Sequence, residues 1–213
     1  SARLEIIQSQ MRIVGVDDTP AIVRQSILPG FGTLVSLNNW SDVFAGVYRG
    51  FSPVAPGQPE EIDPEFSWNS EAGLRFYESR RTAEVTGFFN DYQNITGQCT
   101  LSAGCDEDDI NRQFNGGRVW IYGLESLAGV EPLLGKGWAL PLKSTYTFTR
   151  SRFLSAFSSN FSQFGDVDIA DSLPYVAEHQ ASLHAGLVHS KGGVHIGTTY
   201  RSAMLDQAGR FNE

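Results

Sequence analysis

Several features that commonly assign a protein to a class are missing from this sequence. No apolar run approaches the ~20 residues that a membrane-spanning helix requires, and the mean hydropathy is −0.21. Sixteen basic side chains stand against twenty-four acidic ones, which gives a net charge of −8. Because no basic surplus exists to displace phosphate counterions, a nucleic-acid partner is not expected. A β-barrel in a membrane remains possible, since barrel strands are short and alternate in polarity.

Cysteine is almost absent as well. The only two, Cys99 and Cys105, exclude a four-cysteine zinc site. They can form a disulfide around a small glycine-containing loop in an oxidising compartment, or remain as two free thiols in a cytosolic loop. We predict the disulfide. The chain begins Ser1-Ala2, which is neither a start methionine nor a signal peptide, so we expect its targeting segment to lie upstream.

Helical periodicity is scarce, and alternating segments rich in Val, Ile, Thr, Phe and Tyr take its place. Clusters of glycine, asparagine and aspartate separate these segments, as is typical of strands joined by turns. The pattern predicts an all-β chain of about nine strands, at 4–14, 32–37, 43–51, 69–77, 82–93, 118–127, 139–150, 178–189 and 193–203.

The lengths of the links between these strands alternate. Three short links lie near 38–42, 78–81 and 190–192. Long links cover 15–31, 52–68, 94–117 and 151–177, and one of intermediate length lies near 128–138. In an antiparallel up-and-down meander, this alternation places the short turns at one end and the long loops at the other. Outer-membrane barrels have this asymmetry.

The predicted strands have one apolar and one polar side. In the fourth strand, Ala72, Leu74 and Phe76 alternate with Glu71 and Arg75. Strands of about ten residues match the 9–11 that cross the hydrocarbon layer at a tilt. Aromatic residues near strand ends are candidates for interfacial girdles, namely Trp40, Trp68, Tyr77, Tyr92, Trp120 and Tyr200. A soluble sandwich also alternates, so the alternation alone leaves both architectures open.

An ordered series of motifs then narrows the choice. The series consists of VYRGFSP at 47–53, IDPE at 62–65, WNSEAGLR at 68–75, AEVTGFFNDY at 83–92 and GLE at 123–125. It resembles the barrel of TonB-dependent outer-membrane receptors, in which a strand ends in aromatic–glycine–phenylalanine and the next carries Glu-x-Gly-x-Arg. The likeness is greatest to the ferric-dicitrate branch of that family.

The resemblance implies a fold and a function. The chain, residues 1–213, is expected to be an antiparallel up-and-down meander forming part of a transmembrane barrel of about 22 strands with a plugged lumen. The plug domain and the final strand are expected to lie outside it. The parent protein is expected to bind an extracellular ferric chelate, such as ferric citrate or a siderophore, in the outer membrane of a Gram-negative bacterium. Import would use the TonB complex, which engages the missing N-terminal part.

Four residues are candidates for holding the chelate. Ferric citrate is anionic, and guanidinium groups are the natural partners of carboxylates. Arg49 ends a strand on the long-loop side, Arg118 re-enters the barrel from a long loop, and Arg150 begins the next one. Gln98 falls where the resembling receptors have a polar loop position near the ligand. Each of these residues can equally be an ordinary lumen or surface residue.

Catalysis and metal binding have little support in the sequence. No nucleophile elbow, phosphate-binding glycine loop or His-Glu-x-x-His motif occurs. The acidic run 106–109 lacks the order of a calcium-binding loop and is predicted to be a solvated loop. His179, His184 and His189 are five residues apart, so they alternate between faces of a strand and cannot jointly hold one ion. We therefore expect no enzyme, no metal site and no cofactor.

Two other classes compete with the receptor. One is a secreted or periplasmic all-β module that binds a ligand such as a sugar or a protein. The other is a periplasmic β-rich enzyme, which the absence of a catalytic constellation disfavours. The surroundings of the apolar strand face distinguish the all-β binding module from the receptor, because a sandwich buries its apolar side whereas a barrel exposes it to lipid.

Overall fold

The chain is all-β, as predicted. The structure, a computed structural model, describes residues 2–9, 22–55, 58, 62–98, 112–159 and 161–210. Among these residues no helix is long and apolar enough to cross a membrane. The strands are β1 (Ala2–Ser9), β2 (Ile22–Asn38), β3 (Ser41–Ser52), β4 (Glu65–Glu78), β5 (Arg81–Gln93), β6 (Thr96–Gln98), β7 (Gln113–Asn115), β8 (Val119–Val130), β9 (Leu133–Gly135), β10 (Trp138–Ala139), β11 (Leu142–Phe153), β12 (Phe157–Ser158), β13 (Asp166–Val167), β14 (His179–His189) and β15 (Gly192–Arg201).

Nine long strands form one antiparallel meander. They pair in the order β1-β2-β3-β4-β5-β8-β11-β14-β15, so each long strand lies beside its neighbour in the chain. Each corresponds to one of the nine predicted strands. The short strands β9 and β10 form a hairpin that extends this sheet beside the far end of β14, where Trp138 lies opposite His189. The fold is therefore the predicted up-and-down meander.

Strand bounds differ most from prediction in β2, which begins ten residues before the predicted 32–37 segment. Pro29, Gly30 and Gly32 lie inside it, and such residues usually weaken a strand. Pro29 lies opposite Ala2 of β1, and Gly30 opposite Tyr48 of β3. Pairing to a strand on each side extends β2 through residues with low intrinsic strand propensity.

The register sorts the side chains of the sheet onto two faces, because cross-strand partners lie on the same face. Val43, Leu74 and Val85 are consecutive partners on one face, whereas Glu71 and Phe88 are partners on the other. We call the first the apolar face. Its members in the central strands include Val47, Trp68, Ala72, Leu74, Phe76, Val85, Phe89, Trp120 and Leu124. The second, the polar face, includes Asp42, Tyr48, Asn69, Glu71, Arg75, Glu84, Thr86, Asn90 and Glu125.

The apolar face is open to its surroundings. Leu74 is 58% exposed and Val194 is 73% exposed. The other sheets within the described part of the chain are the two-stranded pairs β6–β7 and β12–β13, and both belong to the long links. A sandwich would bury this face against a second sheet. Its exposure is what a barrel wall requires.

Short and long links occupy opposite ends of the sheet, as predicted, apart from link 131–141, which carries the β9–β10 hairpin and lies with the short turns. Two-residue turns at 39–40, 79–80 and 190–191 lie at one end, which we call the turn end. Links 53–64, 94–118 and 154–178 leave the other end, which we call the loop end.

Most of the fully buried apolar side chains lie at the loop end. Val119 and Phe153 are 0% exposed, and they lie opposite each other at the loop ends of β8 and β11. Counted along their strands, both have the parity of the polar face: they stand an even number of residues from the residues on that face. We call the group of buried residues there the loop-end cluster; it consists of Val119, Phe153, Phe164, Val167 and Leu173. Phe114 packs on it with its ring 4.9 Å from that of Phe164. Links 94–118 and 154–178 therefore fold over the polar face and share one small core.

Backbone hydrogen bonds connect the links as well. Ser172 and Gly209 exchange two such bonds, and Ala208 donates to the carbonyl oxygen of Gln163 at 2.8 Å. Segment 202–210, which follows β15, is thereby fixed to link 154–178. Link 53–64 is connected to link 94–118 by a side-chain hydrogen bond: the amide of Ala55 donates to Gln113 Oε1 at 2.8 Å. The loop end is thus a folded unit rather than a set of separate loops.

Candidate ligand-binding site

A pocket opens on the polar face at the centre of the sheet. Its volume is about 210 Å³. Strands β3, β4, β5 and β8 supply the lining residues Tyr48, Asn69, Ser70, Glu71, Thr86, Phe88, Asn90 and Glu125. The alternation of β4 and β5 explains most of this composition, because Asn69, Glu71, Thr86 and Asn90 stand at every second position and point to the same side.

Small residues make room for the larger side chains of the pocket. Glu71 lies opposite Gly46, and a Cβ on that glycine would stand 3.5 Å from Glu71 Oε1. Phe88 lies opposite Gly123 in the same way, with its Cζ atom 2.8 Å from the place of a Cβ. Asn69 is buried and donates to Ser67 Oγ at 2.9 Å. The pocket thus offers carboxylates, amides, hydroxyls and two aromatic rings.

The charge of the pocket is negative. Glu71 and Glu125 are exposed at its surface, and every other lining residue is neutral. The nearest guanidinium on the same face, Arg75, is paired with Glu84 at 2.6 Å and lies 5.4 Å from the ring centre of Phe44. Carboxylates and amides accept hydrogen bonds from hydroxyl, amide and ammonium groups. The pocket therefore suits a ligand rich in donors rather than one rich in carboxylates.

The predicted ligand-binding residues lie at the loop end, apart from this pocket. Arg49 is the cross-strand partner of Trp68, and its guanidinium carbon is 4.4 Å from the ring centre of Phe66. Arg150 is the partner of Tyr122 and donates from Nε to Glu178 Oε1 at 2.8 Å. Both arginines therefore have the parity of the apolar face.

Arg118 and Gln98 belong to the long link 94–118. Arg118 directly precedes β8 and binds Asp91 twice, from Nε to Oδ1 at 2.8 Å and from Nη2 to Oδ2 at 2.5 Å. The hydrogen bond to Asp91, and then its negative charge, raise the pKa of Arg118 above the ordinary value. Gln98 ends β6 opposite Gln113. The ligand-binding role of all four residues stays a prediction.

Other sequence-based predictions have different outcomes. Cys99, Cys105 and the acidic run 106–109 lie outside the described residues. The register confirms that His179 and His189 share the apolar face while His184 lies on the polar one. In the part of the chain that the structure describes, no three His, Cys, Asp or Glu side chains converge as for a metal ion.

The aromatic residues predicted for an interfacial girdle do not all share one face, and the girdle itself stays a prediction. Trp68, Trp120 and Tyr200 have the parity of the apolar face. Tyr77 and Tyr92 do not, because their partners Thr82 and Ser67 belong to the polar face. Both tyrosines stand an odd number of residues from the apolar-face residues of their strands. A position near a strand end therefore does not determine which face an aromatic residue occupies.

Sheet order, exposed apolar face and link asymmetry together define the class of protein: a β-barrel of the outer-membrane type. The family model for the TonB dependent receptor-like beta-barrel matches residues 9–212. The chain therefore belongs to the TonB-dependent receptor family and forms part of its barrel domain. It is a receptor segment and not an enzyme.

Two solved structures are similar to this chain. The FrpB iron transporter from Neisseria meningitidis (F3-3 variant) matches at 12% sequence identity with a TM-score of 0.56, over 84% of this chain and 27% of FrpB. The siderophore receptor PirA from Pseudomonas aeruginosa matches at 20% identity with a TM-score of 0.46, over 82% of this chain and 36% of PirA. No curated protein matches the sequence. The chain thus spans about a quarter of the length of FrpB and about a third of that of PirA.

Proposed function

We propose that residues 1–213 are a barrel segment of a receptor in the outer membrane of a Gram-negative bacterium, and that this receptor imports a ferric chelate with energy from the TonB complex. The observation that carries this proposal is the family match over 9–212. A plug domain and the barrel's final strand would belong to the receptor but lie outside residues 1–213. The described segment would supply wall strands and part of the loop end, and no bond would be made or broken there.

The identity of the chelate is a second part of the proposal. The motif series over 43–127 supports the ferric-dicitrate branch, for which the cargo is anionic. The central pocket does not favour such a cargo, because Glu71 and Glu125 would repel its carboxylates. A ferric citrate complex would therefore need cationic groups outside this pocket, such as Arg118 in link 94–118, whereas a chelate rich in hydroxyl and amide groups would suit the pocket.

Uptake of radiolabelled iron tests the transport proposal. Cells that carry the receptor gene should accumulate ferric citrate or a ferric siderophore, and cells in which that gene or the gene for TonB is deleted should lose this accumulation. Reintroducing the receptor gene restores uptake and serves as the control. Equal uptake with and without the receptor, over a panel of carboxylate, catecholate and hydroxamate chelates, would contradict the proposal.

The roles of Arg49, Gln98, Arg118 and Arg150 in holding an anionic chelate can be tested individually. Replacing one arginine by glutamine should weaken ferric citrate binding about tenfold, because a hydrogen bond to a charged group is lost. Gln98→Ala should have a smaller effect, since a neutral amide is removed. Binding of ferric citrate to the purified receptor measures these affinities, with Arg80→Gln at the turn end as the control. Unchanged affinity in all four variants would contradict the assignment.

A further inference from the structure

Charge is unevenly distributed over the polar face. The polar-face residues of β3, β4, β5 and β8 form an acidic half, whose charged members are Asp42, Glu65, Glu71, Glu84, Glu125 and Arg75. Those of β11, β14 and β15 form a basic half, in which the described residues include no carboxylate; its basic members are Lys143, His184, His195 and Arg201. An anion beside the basic half is therefore farther from the carboxylates that would repel it.

Hydroxyl groups occupy the middle of the basic half. Thr145 is the cross-strand partner of Ser182, with 2.6 Å between their hydroxyl oxygens, and Ser182 is in turn the partner of Thr199. Along β14, the distance from the partner of Arg201 to the partner of His195 is six residues, or roughly 20 Å at the usual rise of a strand. Since hydroxyls donate hydrogen bonds to carboxylate oxygens, the basic half offers donors along this length and positive charge near both ends.

Three basic side chains lie together towards the turn end of this half. Lys143 is the cross-strand partner of His184. The partner of His184 is Gly197, where a Cβ would stand 2.7 Å from His184 Nδ1, and the partner of His195 is Gly186, where a Cβ would stand 2.6 Å from His195 Nδ1. Because the facing glycines have no side chains, each imidazole lies across the neighbouring strand. An imidazole has a ring nitrogen that donates a hydrogen bond in either protonation state, so both histidines supply donors beside Lys143.

A recess opens beside Lys143 at the turn end. Its volume is about 370 Å³, which is within the range of sites for small ligands. Gly129 lies between Thr82 and Lys143 in the register and leaves the floor of the recess without a side chain. The carboxylate that lines the recess, Glu131, is paired with Arg80 at 3.0 Å. In the described part of the chain Lys143 pairs with no carboxylate, so the recess has a surplus of positive charge.

We propose that Lys143, His184 and His195 form a subsite for the carboxylate groups of an anionic ferric chelate at the turn end of the lumen. The inference rests on the proposed function, because it requires the polar face to line a lumen through which the chelate passes. The Lys143 ammonium binds carboxylate oxygens, the two imidazoles donate hydrogen bonds to them, and the recess beside Lys143 holds the rest of the chelate. A chelate captured at the loop end reaches this subsite along the hydroxyl groups of the basic half. The subsite therefore acts after capture, on the way out of the barrel.

Uptake of radiolabelled ferric citrate by cells that carry the complete receptor tests the subsite. K143E should lower the maximal rate of uptake about tenfold, because an attractive charge becomes a repulsive one. Binding of ferric citrate to cells that also lack the gene for TonB measures capture alone, and in K143E it should stay within about twofold of wild type. K136E makes the same change of charge at the tip of the β9–β10 hairpin and should alter neither quantity by more than about twofold.

Chemical modification separates the charge of this side chain from its shape. K143C should import ferric citrate slowly, and a cationic methanethiosulfonate reagent should restore uptake, whereas an anionic reagent of similar size should not. Wild-type cells treated with the same reagents are the control for Cys99 and Cys105. Heat-modifiable migration on gels verifies that each variant is folded.

Three outcomes would overturn the subsite: wild-type uptake in K143E, equal restoration of K143C by both reagents, or no reaction of the introduced thiol in cells that import the chelate. Uptake by wild-type cells of uncharged chelates only would also overturn it, while leaving the receptor assignment intact. No uptake of any chelate by wild-type cells would instead overturn the proposed function, and the subsite with it.

Discussion

The substitution Gly123→Ala should destabilise the barrel by about 3 kcal/mol, at the upper end of the cost of overpacking. A Cβ on Gly123 would overlap the carbonyl oxygen of Phe148 and lie 2.8 Å from Cζ of Phe88. A side chain can rotate away, but the carbonyl belongs to the backbone of β11. Relief of the clash therefore requires β8 and β11 to separate at the middle of their paired segment.

Urea titration of the refolded receptor in detergent, followed by heat-modifiable migration, measures this loss. The matched control is Gly87→Ala on the adjacent strand β5. Its Cβ would have as its nearest atom the carbonyl oxygen of Ala72 at 3.9 Å, an ordinary contact. Gly87→Ala should leave the free energy of unfolding within about 0.5 kcal/mol of wild type. If Gly123→Ala unfolds at the same urea concentration as Gly87→Ala, the close packing of β8 against β11 at this position is wrong.

The second large effect is expected for Phe153→Ala, which should cost about 3–5 kcal/mol of loop-end stability. Phe153 is fully buried, with its ring 5.5 Å from that of Phe157 and 6.3 Å from that of Phe164. Its amide donates to the carbonyl of Asp171, and its carbonyl accepts from the amide of Ala170. Truncation leaves a cavity where strand β11 meets link 154–178, so the link should loosen before the sheet does.

Hydrogen exchange distinguishes local loosening of link 154–178 from loosening of the whole sheet. In Phe153→Ala the amides of Ala170, Asp171 and Leu173 should exchange faster, while those of β4 and β5 keep wild-type protection. Phe153→Leu should restore most of the protection, because it refills much of the cavity. Ile169→Ala in the same link is the control, since Ile169 is 53% exposed. Wild-type exchange in Phe153→Ala would show that the loop-end cluster does not hold the link.

Much of this fold can be predicted from local sequence, because each long strand carries its own period-two pattern. The turn at 79–80 and the strands beside it follow from residues 65–93 alone. The bounds of β2 do not, since pairing with β1 and β3 overrides Pro29 and Gly30. The loop-end cluster cannot be predicted in this way, because Phe114 and Phe164 meet Phe153 of β11 only after two separate links have folded.

The position of a charged residue within the two-residue alternation of its strand determines which face of the sheet it occupies, and therefore which ligands it can reach. Arg49 lies between Val47 and Phe51 at two-residue spacing, and both are apolar. The same alternation that predicted β3 therefore assigns Arg49 to the apolar face, although its position at the long-loop end of the strand suggested a ligand-binding role. Glu71 and Glu125 have the parity of the polar face. Neither was predicted as a site residue, because an anionic chelate is expected to bind cationic groups.

The shared core of the loop end determines how the surface of this receptor can be copied or exchanged. A peptide spanning 154–178 would lack Val119, Phe153 and Phe114, on which its buried residues pack. It would present its sequence but not its shape, so antibodies raised against it should recognise the unfolded chain better than the native receptor. A graft that keeps the native epitope has to carry β7, β8, β11 and segment 202–210 together with the loop.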